Sequence, residues 1–558
     1  QQWLQAGPVP MQHVACFNLG TLLGALQRPA EAEQAYRQAL ALQPDFPHAH
    51  LNLGHLLERA GQPEAALAEW RAVVAAHPGV DLQVHAWNNL GRLLEQLRRY
   101  PEAEAALCAS LQLDPAQPSV VQHYVHLRQK QCAWPVYQPV GDVGPNRLLQ
   151  GTSLLAMMGL SDDPALQLLS ATRFALERVP KPAAVPLHTT MPPRSGKIRI
   201  GYLSGDLHMH AVGLLSPELF ELHDRSKFEI WAFCWTPESD QPQRRRIVKA
   251  MDHLVRLGGV DDSTAARLIA EAGIDVLVDL QALTNGARPA ILGHRAAPVQ
   301  VSYLGLPGTS GLPGVDWILA DHYVLPPEAE PYYTERPLRL PNCYQVSDRQ
   351  RDVAPRPARS RYGLPDDQVV YCSFNNNHKF TPEVFGAWMR VLQQVPRSVL
   401  WLLADNDTAR DNMLRQADSH GVARERLIFA PRVAPPEYLA RFQCADLVLD
   451  TFPFNAGTTA SDALWMGTPI VTLSGRTYIS RMAGSLLSAV GLPELATTTL
   501  AGYEQLAVLL GRQPARIESY KRYLAEHGRT SPLFDLPQVV RDIEAQFERL
   551  ALQHRAAP

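Results

Sequence analysis

Cysteine is scarce in this sequence, and the close pairs that chelate metal or cycle a disulfide are missing. The 558 residues contain seven cysteines, at positions 16, 108, 132, 234, 343, 372 and 444, without a C-x-x-C pair. An odd number of widely scattered cysteines is not the pattern of a secreted disulfide framework. We therefore expect a reducing compartment, the cytoplasm.

Long apolar runs and a basic excess are missing as well. No run approaches the ~18 apolar residues of a membrane span, and the first residues lack the basic-then-apolar order of a secretory signal. The 52 Lys and Arg residues are balanced by 55 Asp and Glu residues, which gives a formal net charge of −3. Proteins that bind nucleic acid usually have a basic face and a high pI. We therefore expect neither a membrane nor a nucleic acid as partner.

The N-terminal third is repetitive. Gly20 and Gly54 are 34 residues apart, and Gly91 follows 37 residues later. After each glycine come an alanine at twelve residues, a large side chain at sixteen and a proline at twenty-four: Ala32, Tyr36 and Pro44; Ala66, Trp70 and Pro78; Ala103, Leu107 and Pro115. Small residues at a helix contact, a bulky residue beside them and a closing proline are typical of helix–turn–helix repeats. The pattern predicts tetratricopeptide repeats over residues 12–117, in a domain of residues 1–135.

Two roles are open for these repeats. Stacked repeats form extended surfaces that bind peptide segments, which favours docking of a protein substrate or partner. The alternative is a scaffold that only stiffens or dimerises an enzyme. A further helix over residues 120–131 is predicted to cover the last apolar face of the stack.

A proline-rich linker, residues 136–195, precedes an alternating region. The linker contains a helical stretch, residues 148–176, and a second proline cluster at residues 180–193, which marks a boundary. Residues 196–350 then predict strands at 197–203, 228–234, 276–279 and 299–303 and a helix at 263–272. Strands that alternate with helices predict a parallel, doubly wound sheet, in which ligands lie beyond the carboxyl ends of the strands.

Three stretches follow such strand ends. The first contains His208 and His210, the second contains Thr284, and the third is the glycine-rich loop 304–311. A histidine in such a loop is a candidate general base or a donor to a sugar or phosphate, although it can equally be a hydrogen-bonded loop residue. A metal site would require further ligands that the sequence does not display.

Residues 351–558 predict a second α/β half, with a C-terminal helix. Its strands are predicted at 369–373, 398–403, 427–430 and 445–449, with a helix at 382–394, and a turn after residue 449 leads to a helix that begins at Thr458. The free N–H groups and positive dipole at that helix start can bind phosphate, and Asp462, one turn later, could bind ribose hydroxyls. Lys379 could neutralise a diphosphate. The competing interpretations are a threonine-capped helix and a solvated lysine.

Several motifs together resemble one enzyme family, the protein O-linked N-acetylglucosamine transferases. The motifs that carry this resemblance, besides the repeats, are Gly201-Tyr-Leu-Ser-Gly-Asp-Leu-His-Met-His210, Pro298-Val-Gln-Val-Ser-Tyr-Leu-Gly-Leu-Pro-Gly-Thr-Ser-Gly311, Phe374-Asn-Asn-Asn-His-Lys379 and Asp462-Ala-Leu-Trp-Met-Gly-Thr-Pro469. The resemblance implies an α-helical repeat region followed by two Rossmann-like halves in the GT-B arrangement. It also implies UDP-GlcNAc as donor, protein Ser/Thr hydroxyls as acceptors, and inverting transfer without a metal or other cofactor.

The resemblance also implies residue roles. His210 matches a proposed base, and Lys379 matches the lysine on the UDP diphosphate. Other donor-binding positions are Asn376, Ala434, Tyr438, Arg441, Thr458, Thr459 and Asp462, and weaker sugar or acceptor candidates are Thr284, Pro307, Gly308 and Thr309. Three departures resemble a bacterial relative: Ala211 replaces a proline, Gly457 replaces a histidine, and a large insertion between the halves is missing.

One motif competes with the prediction that no metal is needed. Asp405-Asn-Asp407 has the Asp-x-Asp pattern that binds metal in other glycosyltransferases. Since Lys379 and a helix N-terminus already supply positive charge, we assign this motif to a turn. A second functional class also remains open: a repeat scaffold for protein interactions, whose weakly catalytic α/β part only senses nucleotide sugar.

Overall fold

The computed structural model describes residues 11–181, 184–191 and 195–556. The contacts divide the chain into two compact units. Unit 1 comprises Gln1–Thr152 and Asn406–Ala409, and unit 2 comprises Ser153–Asp405 and Arg410–Pro558. Within the ranges described, no helix is both long enough and apolar enough to cross a bilayer.

Unit 1 consists of helices that pack in consecutive pairs, as the repeat pattern predicts. Its helices are α1 Gln12–Ala25, α2 Pro29–Leu42, α3 Pro47–Arg59, α4 Pro63–Ala75, α5 Val80–Gln96, α6 Tyr100–Leu113, α7 Pro118–Lys130 and α8 Pro145–Gly151. Helix α1 packs on α2, α3 on α4, and α5 on α6. The predicted helix at residues 120–131 is present as α7.

The repeat glycines are packing positions. A Cβ atom added to Gly54 would lie 2.3 Å from Nε1 of Trp70, and one added to Gly91 would lie 2.5 Å from Cδ2 of Leu107. Gly20 has the same relation to Tyr36, at 2.7 Å. In each repeat, the bulky side chain of the second helix therefore occupies the space that the glycine leaves open in the first helix. This contact confirms the physical basis of the predicted repeat.

The predicted linker is divided between the two units. Helix α8 lies in unit 1, where a Cβ atom on Gly151 would come within 2.3 Å of Cγ1 of Val121. The first unit therefore extends beyond the predicted boundary at residue 135. The predicted helical stretch at residues 148–176 is not one helix, because Ser153 and Asp163 cap two new ones, α9 Leu154–Leu160 and α10 Pro164–Arg178.

The first α/β half of unit 2 contains a sheet of seven parallel strands. They are β1 Ile198–Ser204, β2 Phe228–Cys234, β3 His253–Arg256, β4 Val276–Asp279, β5 Val299–Ser302, β6 Trp317–Asp321 and β7 Arg336–Leu340. Their order is β3-β2-β1-β4-β5-β6-β7. The four predicted strands are confirmed, whereas β3, β6 and β7 were missed. Strand β7, with Arg336, Pro337 and Arg339, lies at the sheet edge, where a proline is tolerated.

The second half contains six parallel strands in the order β10-β9-β8-β11-β12-β13. They are β8 Val369–Ser373, β9 Ser398–Leu403, β10 Leu427–Ala430, β11 Leu447–Leu449, β12 Ile470–Leu473 and β13 Ala496–Thr497. In each half the strand order reverses beside the first strand, between β1 and β4 and between β8 and β11. Ligands of doubly wound sheets bind at such switch points, so the loops after these strands are the ones to examine.

Helices cover both sheets of unit 2. They are α11 Ala211–Leu215, α12 Pro217–Leu222, α13 Pro242–Lys249, α14 Asp262–Glu271, α15 Ala290–Gly293, α16 Pro382–Gln394, α17 Asp407–Ser419, α18 Pro435–Arg441, α19 Thr458–Trp465, α20 Met482–Val490, α21 Leu500–Arg512, α22 Pro514–His527 and α23 Leu536–Arg555. The last helix, α23, returns to the first half, where Val540, Ile543 and Phe547 join the core against the sheet. Its Glu544 also accepts a hydrogen bond from His223, at 2.9 Å.

Candidate functional site

A cavity of about 160 Å³ is lined by loops from the two halves of unit 2. His210 follows β1, Pro307 follows β5, Lys379 follows β8, and Thr458 begins the helix after β11. Each of these segments comes after the carboxyl end of a parallel strand, where ligands of this architecture bind. The structure therefore brings together four residues that the sequence singled out in four separate motifs.

Lys379 is held by a short helical turn after β8. The side chain of Asn377 fixes this turn, because its Nδ2 donates to the carbonyl oxygen of Leu403 at 2.8 Å and its Oδ1 accepts from the amide of Asp405 at 2.6 Å. Nζ of Lys379 donates to the carbonyl oxygen of Asn455 at 3.3 Å and lies 4.0 Å from the ring centroid of Phe454. The ammonium group is thus held against the loop that leads into α19.

Burial changes the charge balance around this lysine. Desolvation lowers the pKa of Lys379 below its ordinary 10.5, and the nearby carboxylate of Asp450 partly restores it. Burial likewise raises the pKa of Asp450. A desolvated ammonium group in a low-dielectric site interacts strongly with an anion that enters it, so Lys379 is well placed to meet a charged ligand.

Asp450 shapes the loop that precedes α19. Its carboxylate accepts hydrogen bonds from the amides of Thr451 and Ala456, both at 2.8 Å, and from Oγ1 of Thr472 at 2.6 Å. The loop then ends at Gly457, the N-cap of α19, which has no side chain to cap the helix. The first turn of α19 therefore offers amide groups and the hydroxyls of Thr458 and Thr459 to an anionic ligand.

Packing explains why a glycine is present at position 457. A Cβ atom there would lie 2.7 Å from Cε of Met482 and 3.3 Å from Oε1 of Gln345. Both of those side chains line the cavity. Met482 and Gln345 thus occupy the space that a side chain at position 457 would need.

A second cluster of predicted residues surrounds Asp462, one turn into α19. The Asp462 carboxylate is 3% exposed and pairs with Arg351. The hydroxyl of Tyr438 lies close to this carboxylate and to Thr459, and both act on its pKa. Burial raises the pKa of Asp462, and Arg351 opposes this shift. The cluster links α18, α19 and the segment between the halves.

Arg441 packs against the Tyr438 ring of this cluster. The guanidinium is buried, stacks 3.9 Å from the ring centroid of Phe374 and 4.7 Å from that of Tyr438, and donates to the carbonyl oxygen of Pro431 at 3.0 Å. Burial lowers the pKa of Arg441.

The remaining two predicted donor-binding residues lie at turns. Asn376 directly precedes the helical turn that holds Lys379, and Ala434 is the N-cap of α18.

His210 lies at the opening of the cavity. Its side chain is 45% exposed, and its Nδ1 accepts from the amide of Val212 at 3.4 Å and lies 3.7 Å from Oδ2 of Asp206. Partial burial lowers the pKa of His210, whereas Asp206 raises it. Sequence reasoning did not single out Asp206, although its spacing of four residues from His210 was a usable signal. His208 also approaches this carboxylate, at 3.9 Å.

Three weaker candidates lie away from the cavity lining. The hydroxyl of Thr309 donates to Glu335 at 2.8 Å, and that of Thr284 donates to the carbonyl oxygen of Gln281 at 3.0 Å. Gly308 packs against α9, because a Cβ atom there would lie 2.5 Å from Cε of Met158. Of the four sugar or acceptor candidates, Pro307 alone is in the lining of this cavity.

The Asp-x-Asp motif is engaged in structural contacts. Asp405 accepts a hydrogen bond from the amide of Asn377 at 3.0 Å and pairs with Arg432. Asp407 begins helix α17. In the part of the chain that the structure covers, no group of three or more His, Cys, Asp and Glu side chains is arranged to hold a metal ion.

Sequence reasoning missed several lining residues. Phe454, Tyr344, Gln345, Tyr478 and Met482 come from distant segments, and apolar or amide side chains carry no sequence signature of a site. The linker helices were predicted as a helical stretch at residues 148–176, but their contact with the site was not. Helix α9 contacts the turn Asn377–Lys379, and α9 and α10 pack beneath the glycine-rich loop, where Gly308 meets Met158.

Comparison with known proteins gives a consistent result. A family model described as Glycosyl transferase family 41 matches residues 176–356 and 354–543, and a tetratricopeptide repeat model matches residues 17–79 and 51–118. The chain is 32% identical over 390 residues to the probable UDP-N-acetylglucosamine–peptide N-acetylglucosaminyltransferase SEC of Arabidopsis thaliana, covering 68% of this chain and 39% of that protein. It is 26% identical over 461 residues to the UDP-N-acetylglucosamine–peptide N-acetylglucosaminyltransferase of Caenorhabditis elegans, covering 62% and 40%.

Among solved structures, a mutant O-GlcNAc transferase of Thermobaculum terrenum is similar over nearly the whole chain. The match has a TM-score of 0.69 and 25% sequence identity and covers 97% of this chain and 98% of that one. By contrast, the chain spans about two fifths of the length of the curated relatives it matches. The similarity thus extends through the repeats and both α/β halves.

Proposed function

The chain belongs to glycosyl transferase family 41, and we propose that it transfers N-acetylglucosamine from UDP-N-acetylglucosamine to Ser/Thr hydroxyls of proteins. The observation that carries this proposal is that His210 from one half and Lys379 and Thr458 from the other half line the same cavity. Such a site can hold a nucleotide diphosphate sugar against one half while an acceptor approaches from the other. The proposed reaction is an inverting transfer that uses no metal ion or other cofactor.

The leaving group in this proposal is UDP. As the bond between C1 of the sugar and the diphosphate oxygen breaks, its electron pair stays on the diphosphate and negative charge grows there. Nζ of Lys379 and the amides and hydroxyls at Thr458 and Thr459 are positioned to stabilise that charge. These groups supply the positive potential for which other glycosyltransferases use a divalent cation.

The nucleoside would bind along α18 and α19. Asp462 would accept hydrogen bonds from the ribose hydroxyls, and Arg351 keeps its carboxylate in place. Arg441, stacked between two aromatic rings, supports the wall on the uracil side. Buried groups of this kind discriminate strongly, because a ligand without the matching hydroxyls leaves them unpaired.

The acceptor hydroxyl must lose its proton as its oxygen bonds to C1. His210 is the candidate base, since its ring lies at the cavity opening and burial favours its neutral form. Its second possible role is to position the acceptor or donor by hydrogen bonding. The 3.7 Å separation from Asp206 is compatible with either role.

The repeats are proposed to dock the protein acceptor. An asparagine stands two residues before each repeat glycine, at Asn18, Asn52 and Asn89, on the first helices of the three repeats. The Asn52 and Asn89 side chains are partly exposed. A row of amides at a constant repeat position can bond the backbone of an extended peptide without reading its sequence.

The proposed compartment is the cytoplasm, because scattered cysteines without close pairs favour a reducing environment.

Incubation of the purified chain with radiolabelled UDP-GlcNAc and cell lysate tests the reaction. Labelled protein would support transfer, free labelled sugar alone would indicate hydrolysis, and no turnover would favour the nucleotide-sugar sensor. Lys379→Met is the comparison in which we expect lower turnover. Lys249→Ala, which removes an exposed lysine of α13, is the charge-matched control.

Docking is tested separately with the double variant Asn52→Ala/Asn89→Ala. We expect less labelling of protein acceptors and unchanged hydrolysis of UDP-GlcNAc, because every proposed donor contact lies in unit 2. The control is Gln38→Ala, which removes an exposed amide from a second helix of a repeat. Equal labelling by the double variant and this control would contradict docking through the asparagines.

A further inference from the structure

The turn between α9 and α10, residues 161–163, places one carboxylate into a loop of the second half. Oδ2 of Asp162 accepts from the amide of Arg476 at 2.8 Å. Oδ1 accepts from the amide and hydroxyl of Thr477, at 3.2 and 3.0 Å, and from Oγ of Ser480 at 2.5 Å. A single side chain from the linker thus takes four hydrogen bonds from residues 476–480, more than 300 positions away in the sequence.

The loop residues form a closely fitting, buried site for the Asp162 carboxylate. Thr477 and Ser480 are 1% and 0% exposed, so bulk water does not compete for their hydroxyls; besides Asp162, these hydroxyls bond each other and the carbonyl oxygen of Thr477. A Cβ atom on Gly475 would lie 2.2 Å from Oδ2 of Asp162, so the carboxylate fits a site that only glycine leaves open. Loss of the carboxylate would remove the hydrogen bonds that tie residues 476–480 to the turn 161–163.

The anchored loop forms part of the cavity wall. Tyr478 lies within it and Met482 begins the helix that follows, and both line the cavity. The hydroxyl of Tyr478 donates to the carbonyl oxygen of Leu319 at 3.2 Å, and its ring packs edge-on against Tyr344, 5.2 Å away. The position of the loop therefore sets the shape of this wall.

The wall lies at the sugar end of the proposed donor site. Lys379 and Thr458, the diphosphate candidates, share the cavity with Tyr478 and Met482. Asp462, the ribose candidate, lies one turn further along α19. A donor whose ribose is at Asp462 and whose diphosphate is at Lys379 would extend its sugar into the cavity and towards Tyr478.

We propose that Asp162 is a positioning residue for the donor sugar: it anchors residues 475–480 so that Tyr478 and Met482 fit the sugar of UDP-GlcNAc. This inference rests on the proposed function and adds a residue from the linker to it. Asp162 does not touch the donor itself. Its removal should weaken the contribution of the sugar to binding and leave the contribution of UDP intact.

The test compares Asp162→Ala with Asp163→Ala in the full chain. Asp163 is the matched control, because its carboxylate caps α10 by accepting from the amide of Ala165 at 2.9 Å. Calorimetry would give the Kd of UDP and of UDP-GlcNAc for each variant. Asp162→Ala should raise the Kd of UDP-GlcNAc by about tenfold to a hundredfold, as misplacement of a binding wall does, and change that of UDP less than about twofold. An equal change in both constants would overturn the proposal.

A double-mutant cycle with Gly475→Ala tests the contact itself. The added methyl group displaces the Asp162 carboxylate, so Gly475→Ala alone should reproduce the loss of UDP-GlcNAc affinity. In an Asp162→Ala background it should have little further effect. Additive effects would show that the two positions act separately and would contradict the anchor.

Hydrogen exchange separates failure of this proposal from failure of the proposed function. Amides of residues 474–482 should exchange faster in Asp162→Ala than in Asp163→Ala, whereas residues 203–215 should be unchanged. Unaltered exchange at 474–482 would overturn the anchor whatever the protein binds. If the wild-type protein failed to bind UDP-GlcNAc, the proposed function would fall, and with it the role of Asp162 towards the sugar.

Discussion

Replacing Lys379 by methionine removes one positive charge from the cavity and little volume. Nζ of Lys379 is the cation that meets the loop before α19, through its hydrogen bond to Asn455 and its contact with the ring of Phe454. Methionine keeps an unbranched apolar chain against that ring. The carboxylate of Asp450 loses its nearby cation but keeps its hydrogen bonds from Thr451, Ala456 and Thr472, so we expect the loop to hold its shape.

The effect should be larger on turnover than on binding. Groups aimed at charge that develops in the transition state contribute about 2–4 kcal/mol to the barrier. Since each 1.36 kcal/mol is a factor of ten in rate, Lys379→Met should lower kcat by about 30-fold to 1,000-fold. Ground-state UDP-GlcNAc keeps the amides and hydroxyls at the start of α19, so its Kd should rise by a much smaller factor.

The assay pairs single-turnover transfer with calorimetric titration by UDP and UDP-GlcNAc. Single-turnover kinetics separate the chemical step from binding and product release. Lys249→Ala should behave as wild type in both measurements. If Lys379→Met kept wild-type kcat, or if its loss appeared entirely as weaker binding of UDP, the assignment of Lys379 to the leaving group would be wrong.

Four further results are expected. His210→Ala should lower kcat by about a hundredfold or more. Because burial lowers the pKa of His210, the acidic limb of the wild-type rate profile should have its midpoint below the ordinary pKa of histidine, and persistence of this limb in the variant would exclude the base role. Asp462→Ala should weaken UDP binding by about 1–3 kcal/mol in calorimetry, since ribose hydroxyls would lose a buried partner; an unchanged Kd would remove Asp462 from the site. A chelator should leave UDP binding unchanged, and loss of binding that magnesium restores would revive the Asp-x-Asp motif. Gly54→Ala should destabilise unit 1 by about 1–3 kcal/mol in denaturant unfolding, because its Cβ would lie 2.3 Å from Trp70, whereas Gly24→Ala, with open space around it, should not.

Local patterns in the sequence were sufficient for most elements of the fold. Strands such as β4 and β8 are continuous buried runs, and α16 begins at Pro382. Apolar runs and helix-start residues therefore identify these elements without knowledge of their neighbours. The repeats could be predicted for the same reason. Each repeat is a local unit in which a glycine is followed sixteen residues later by a bulky side chain, as Gly54 is by Trp70. Edge strands such as β7 were not predicted. Burial on one side only leaves such a strand with a mixed and weaker hydrophobic pattern.

Chemistry-bearing residues of the candidate site were also visible in the sequence, because each lies in a strand-end motif. His210, Lys379, Thr458 and Asp462 carry charge, hydroxyls or a titratable ring, and such groups at strand ends indicate a ligand site by their chemistry and position. Their motifs nevertheless contain no information about distance. That His210 and Lys379 line one cavity depends on how the two halves pack within unit 2.

The tertiary structure alone decided which ordinary residues shape the site. Tyr478 and Met482 are typical core residues by sequence, and Asp162 is a turn aspartate next to a helix N-cap. Their relation depends on a loop that donates four hydrogen bonds to a side chain more than 300 residues earlier. Contacts of this kind arise from packing between segments that are distant in the chain, and neither periodicity nor spacing within one segment encodes them.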